Sequence, residues 1–138
     1  MEWFLKVVRD NYSNFSGRAS RKEYWMFFLF YMIFAIVAMV ADNFLGTDFT
    51  VGEGYYAVSM GYGWIYVLFM LALFIPTIAV MVRRLHDVGK SGWWWLINFI
   101  PLVGAIWFLV LMCTDSNPGD NKYGSSPKAI VATEEETA

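Results

Sequence analysis

The chain has 138 residues, of which 58% are hydrophobic, 20% aromatic and only 16% charged. A soluble domain is about 45–50% apolar and about 25% charged, and a chain this short buries only about two-thirds of its unfolded surface. Twelve Phe, eight Tyr, seven Trp and eight Met therefore argue against a water-soluble monomer and exclude intrinsic disorder. A formal net charge of −2 lacks the bulk basic field of a nucleic-acid binder. The lone Cys113 and lone His86 provide neither an internal disulfide nor a Cys/His metal site, and no cofactor is implied.

In chain order, residues 2–15 place Trp3, Phe4, Val7 and Val8 near one helical face, with Glu2, Lys6, Arg9 and Asp10 as polar positions. The segment is too short and too charged to span a bilayer or to serve as a cleavable signal, but it suits an in-plane amphipathic helix. Ser20 and Glu23 then form an S-x-x-E capping box, with Glu23 expected to reach back to the cap. Behind it, Tyr24 to Ala41 is a run of 18 residues without a charge, a span over about 24–41. Asp42 to Glu53 holds three acids and no base. Gly54 to Val82, 29 uncharged residues, is expected to span over about 60–82. Arg83-Arg84-Leu85-His86-Asp87-Val88-Gly89 closes that helix, its basic groups matching the helix dipole and Gly89 suited to a left-handed stop. Ser91 can cap a third helix, expected to span over about 92–113. A re-entrant third segment, broken near Pro101 and Gly104, is the alternative. Asn117-Pro118-Gly119 is a turn signal, and 129–138, with Glu134 to Glu136, reads as a mobile acidic tail.

The expected fold is an all-α membrane protein: one integral-membrane domain over 1–128, with three transmembrane helices preceded by the in-plane N-terminal helix. Eight of the ten Lys/Arg fall in the N-terminal segment and the loop between the second and third spans. The positive-inside rule makes that side, and the N-terminus, cytoplasmic. Three crossings would then put the C-terminus on the opposite side. Trp25, Trp93, Trp94 and Trp95, with Tyr24, mark the cytoplasmic interface, and Tyr55, Tyr56, Tyr62 and Trp64 the other.

Chemistry is sparse. Arg18, Arg21, Arg83 and Arg84 gather at helix ends on the basic face, and guanidinium forks match phosphate. With His86 they could hold an anionic lipid headgroup. The competing interpretation is structural ion pairing through Asp87, which stands i,i+4 from Arg83, and through Glu23. His86 and Asp87 point about 100° apart on a helix and do not form a natural dyad. No nucleophile elbow, P-loop or zinc-protease motif occurs, and no charge lies at mid-depth in the spans.

Phe15-x-Gly-Arg-x-Ser-Arg-x-Glu-Tyr-Trp25 and Arg83-Arg-Leu-His-Asp-x-Gly-x-Ser-Gly-Trp-Trp94 resemble the YhaH-type family of small bacterial inner-membrane proteins, a domain of unknown function. The resemblance continues through Ile100-Pro101 and Pro118-Gly119-x-Asn121-Lys122-Tyr123-Gly124-x-x-Pro127. It implies a bacterial inner-membrane location; on the positive-inside argument above, three crossings then make the C-terminus periplasmic. It implies no activity, substrate or catalytic residue.

The expected function is thus a non-enzymatic inner-membrane protein whose Arg-rich cytoplasmic face binds anionic phospholipid or a protein partner. A small transporter or channel, or a subunit of one, is the alternative. It would work as a homo-oligomer or with a membrane-protein partner, packing through Ala35, Ala38 and Ala41. A lipid-modifying enzyme using His86 as base is the third.

Overall fold

The computed structural model of the chain describes residues 2–127. The acidic tail expected at 129–138 lies outside the described residues. Helix α1 covers Glu2–Leu5 and continues as a π-helical turn over Lys6–Asp10, shorter than the in-plane helix expected over 2–15. Two long helices follow, α2 over Arg21–Leu45 and α3 over Trp64–Asp87. Their 25 and 24 residues measure about 37 and 36 Å at a rise of 1.5 Å each, enough for a hydrocarbon core of about 30 Å. Only 22% of the most apolar stretch of either helix is buried inside the protein. Outward-facing Leu, Ile and Val of that density suit lipid rather than water.

The described chain forms two compact units, one of residues 28–75 and one of residues 2–27 with 76–127. In the first, strands β1 (Asp48–Val51) and β2 (Val58–Gly63) pair antiparallel, Val51 opposite Val58 and Asp48 opposite Gly63. This hairpin was not expected from the sequence; only the end of β2, residues 60–63, overlaps the second span expected over about 60–82. Asp42 organises the unit. Its fully buried carboxylate accepts hydrogen bonds from the amides of Gly63, Ile65 and Tyr66 at 2.9–3.0 Å and from the Thr47 hydroxyl at 2.6 Å. One acid near the end of α2 thereby satisfies the donors at the start of α3, where a helix dipole favours a negative charge. Gly63 must be glycine, because a Cβ there would sit 2.1 Å from the Thr47 carbonyl oxygen.

In the second unit, Phe4 stacks on Phe27 with ring centroids 5.4 Å apart, which docks α1 on the first turns of α2. Ser20 caps α2, its hydroxyl accepting from the Glu23 amide at 3.1 Å. The Glu23 carboxylate pairs with Arg83 instead of returning to the cap. At the end of α3, Lys90 donates to the Leu85 carbonyl and Gly89 to that of His86, a Schellman stop with Gly89 at φ +77°.

The third apolar segment departs from expectation. In place of one helix over 92–113 there is a 3-10 helix at Gly92–Phe99, capped by Ser91, and helix α4 at Val103–Cys113. The 11 residues of α4 reach about 16 Å, roughly half a hydrocarbon core. Between the two helices Pro101 supplies no amide donor and Leu102 takes φ +64°, so the helical ladder cannot run through. Gly104 closes the corner, and a Cβ there would meet the Ile97 carbonyl oxygen at 1.7 Å. Residues after α4 were expected to emerge on the face opposite Asp87. Instead the Ser116 hydroxyl donates to the Asp87 carboxylate at 2.5 Å and the Asn117 amide to the Asp87 carbonyl at 2.8 Å. The segment ends where it began, beside the end of α3.

Two glycine variants separate strain from collision. Gly46→Ala, at φ +71° with open space around it, should cost about 1 kcal/mol. Gly104→Ala, where φ is not positive, meets the Ile97 carbonyl instead and should cost about 3 kcal/mol. Denaturation in mixed micelles checks that order.

Candidate anion-binding site

The basic clusters converge in the unit that contains both ends of the described chain, and most of their charge is used internally. Asp87 is fully buried at the centre. One carboxylate oxygen accepts from Arg18 Nε at 3.0 Å, and the other accepts from Arg84 Nη1 and the Ser116 hydroxyl. Arg18, with a side chain 1% exposed, spends its remaining donors on backbone carbonyls. It reaches Asn117 and Gly119 at 2.8 Å, and Gly124 and Asp87 at 3.3 Å. Arg84 donates to the carbonyls of Ala19, Met112 and Thr114. These are carbonyls at element ends with no helical partner, the groups that cations satisfy best. Residues 116–124 are thus held as a strap over the hub.

Arg83 does not pair with Asp87, four residues on. It donates to Glu23 at 2.6 Å, 60 positions away in the chain, and Lys6 adds a second cation to Glu23 at 3.6 Å. Among the described residues, the buried Nε and Nη2 groups of Arg83 have no hydrogen-bond partner. His86 Nδ1 lies 3.0 Å from the Gly17 carbonyl oxygen, and its ring stacks flat on Tyr123 at 3.9 Å with planes 2° apart. Asn121 donates to the His86 carbonyl and ties the strap to the helix end. The four arginines therefore do not share one open pocket: Arg18, Arg83 and Arg84 are buried in ion pairs, and His86 is covered by Tyr123.

Beside this hub lies a cavity of about 790 Å³. Lys6, Arg21 and Lys22 line it with Trp3, facing Arg18 and the strap residue Tyr123. Arg21 remains half-exposed, 3.4 Å from an exposed Asp115. Both Lys6 and Lys22 stand over the Trp3 ring, at 5.4 and 5.3 Å from its centroid, a cation–π arrangement. Lys6 and Lys22 were not among the residues singled out from sequence. No spacing or motif joins the two in the sequence, and their convergence exists only after α1 docks on Phe27. Of the expected interfacial anchors, Trp93 is strongly exposed, Trp94 carries Lys90 over its ring at 5.0 Å, Trp95 packs edge-on against Phe99, and Trp25 edge-on against Tyr24.

Both arginine clusters and the strap fall inside residues 12–125, which match the family model described as a protein of unknown function (DUF805). The chain belongs to the DUF805 family. Inner membrane protein YhaI of Escherichia coli (strain K12) is 40% identical over 128 residues, covering 93% of this chain and 97% of the relative. Inner membrane protein YhaH of the same strain is 41% identical over 128 residues, covering 93% and 98%. No solved structure matches the chain. The DUF805 match agrees with the motif resemblance, and the family carries no established activity.

The hub and the cavity rim should behave differently on mutation. Arg18→Ala removes one partner of a fully buried pair and should cost about 3–5 kcal/mol, loosening the strap. Arg21→Ala, at a half-exposed pair, should cost less than about 1 kcal/mol. Unfolding in detergent gives the two values, and proteolysis after Lys122 should accelerate only in Arg18→Ala.

Proposed function

We propose that this DUF805 protein is a non-enzymatic integral protein of the bacterial inner membrane whose cytoplasmic basic face holds the headgroups of anionic phospholipids. The observation that carries this proposal is the cavity lined by Lys6, Arg21 and Lys22 over Trp3. Three cations surround one concave surface; Lys6 shares Glu23 with the buried Arg83, and Arg21 pairs with Asp115 only at the exposed rim. Cationic side chains near a membrane surface attract anionic lipid by about 1 kcal/mol each. The buried hub beside the cavity keeps its wall rigid, which lowers the entropy lost on binding. Arg18 is part of that wall and Arg83, Arg84 and His86 belong to the hub outside it, while Arg21 and the two lysines are the contact surface.

In this proposal α2 and α3 span the bilayer and the third segment is re-entrant. Both basic loops and the strap are then cytoplasmic, while the β1–β2 hairpin is periplasmic. Support comes from the shortness of α4, from the hydrogen bonds of Ser116 and Asn117 to Asp87, and from the eight basic residues of the N-terminal segment and the α3 end. A fluorescent protein fused after Ala138 should be bright and alkaline phosphatase at the same place inactive. The reverse result would restore the three-span arrangement.

Lipid binding has a separate test. Native mass spectrometry of the purified full chain should show retention of phosphatidylglycerol over phosphatidylcholine. Arg21→Ala/Lys22→Ala should reduce that retention about tenfold or more. Equal retention of both lipids by the wild-type protein would refute the headgroup function.

A further inference from the structure

Beside the basic cavity is a second one, of about 510 Å³. Phe15, Ile78, Val82, Trp93, Trp95 and Leu96 form most of its wall. Ile78 and Val82 are one turn apart on α3 and therefore on one helical face. They belong to the apolar stretch of that helix, Val82 directly before Arg83 and Ile78 one turn further in. Gly92 lets the 3-10 helix ride directly on that face, since a Cβ there would lie 2.9 Å from Val82. Tyr123 borders both cavities, and it stacks on His86, which lines the second. One cavity is cationic, its neighbour is aromatic and aliphatic, and both fall in the range of about 300–1,000 Å³ of ligand sites.

Each feature taken singly has a simpler explanation. Basic residues flank spans for reasons of orientation, and tryptophans collect at interfaces. Their adjacency around one tyrosine is what those explanations leave out. A small soluble anion would use the cationic cavity and leave the apolar one unfilled. An acidic protein segment would likewise find no use for a groove that ends among Ile78, Val82 and Leu96. A molecule with a phosphodiester and a hydrocarbon chain matches both parts, and the membrane around α3 supplies such molecules at high local concentration.

We infer that the two cavities form one bipartite site for a single phosphorylated amphiphile, its phosphate over Trp3 between Lys6, Arg21 and Lys22 and one chain running past Tyr123 into the groove of Phe15, Ile78, Val82 and Leu96. The inference rests on the headgroup function proposed above and adds that the chain is recognised too. It makes the strap a positioning element, because Tyr123 is placed by Arg18 and Asn121 and not by the ligand.

The test uses the purified full chain in neutral detergent, with phosphatidylglycerol, phosphatidylcholine and glycerol 1-phosphate as probes and native mass spectrometry as readout. Leu96→Trp fills the groove from an exposed position and Leu109→Trp, on exposed α4 surface outside the groove, is its control. Lys6→Ala/Lys22→Ala removes the cationic contacts. In the wild type, glycerol 1-phosphate should bind at least about tenfold more weakly than phosphatidylglycerol, because it buries no chain. Leu96→Trp should weaken phosphatidylglycerol about tenfold while leaving glycerol 1-phosphate and the Leu109→Trp control unchanged. The double lysine variant should weaken both anionic probes about tenfold. If the lysine variant loses phosphatidylglycerol but Leu96→Trp binds it as the wild type does, the bipartite site is overturned and headgroup binding stands. If phosphatidylglycerol and phosphatidylcholine are retained equally by every protein, both are overturned.

Discussion

A single buried carboxylate holds the basic end of this molecule together. Two guanidiniums, Arg18 and Arg84, are taken out of water beside Asp87, and each would be costly to bury without it. Asp87 also fixes the chain direction after α4, through Ser116 to its carboxylate and Asn117 to its carbonyl. From that one centre come the strap, the position of Tyr123, and the rigidity of the wall that Lys6, Arg21 and Lys22 face. Asp42 has the corresponding role in the other unit, where one acid gathers the amides at the start of α3. Both acids work by accepting many donors at once, as a low-dielectric setting requires.

The division of labour among the cations follows from burial. Arg18 and Arg84 have planar forks that match several carbonyls and a carboxylate together, and they occupy the interior. Lys6 and Lys22 carry flexible ammoniums, and they occupy the cavity rim, where a mobile point charge can follow a ligand. Aromatic rings link the two classes: Trp3 under the lysines, Tyr123 against His86.

The helices α2 and α3 were legible because an uncharged run of bilayer length has few other uses, and the caps at Ser20, Gly89 and Ser91 obey local rules. The β1–β2 hairpin was not, because Val58 to Gly63 has the apolar and aromatic composition of a membrane interface, and its pairing depends on Gly63 slipping under Thr47. The break in the third segment was half legible. Pro101 and Gly104 marked the place, but a proline within a spanning helix is often tolerated, as Pro76 within α3 is here. What decides the break is Leu102 at positive φ and the return of Thr114 to Arg84. Within the candidate site, helical spacing favoured Arg83 with Asp87, a contact between neighbours. Glu23, distant in sequence, displaced it because tertiary packing brought a buried carboxylate closer. The grouping of Lys6 with Lys22 had no local signature at all.

The strap has a consequence for biosynthesis. Arg18 leaves the ribosome early, and three of the carbonyls it binds, at Asn117, Gly119 and Gly124, are made about a hundred residues later. Ser116, which completes Asp87, is equally late. Until then the nascent chain has α2 and α3 available for insertion but a guanidinium–carboxylate cluster short of several ligands, and water must supply them. With the topology proposed above, the charged end would stay at the aqueous surface during synthesis and close only when the last loop arrives. In that arrangement the order of translation would keep this end from being drawn into the bilayer.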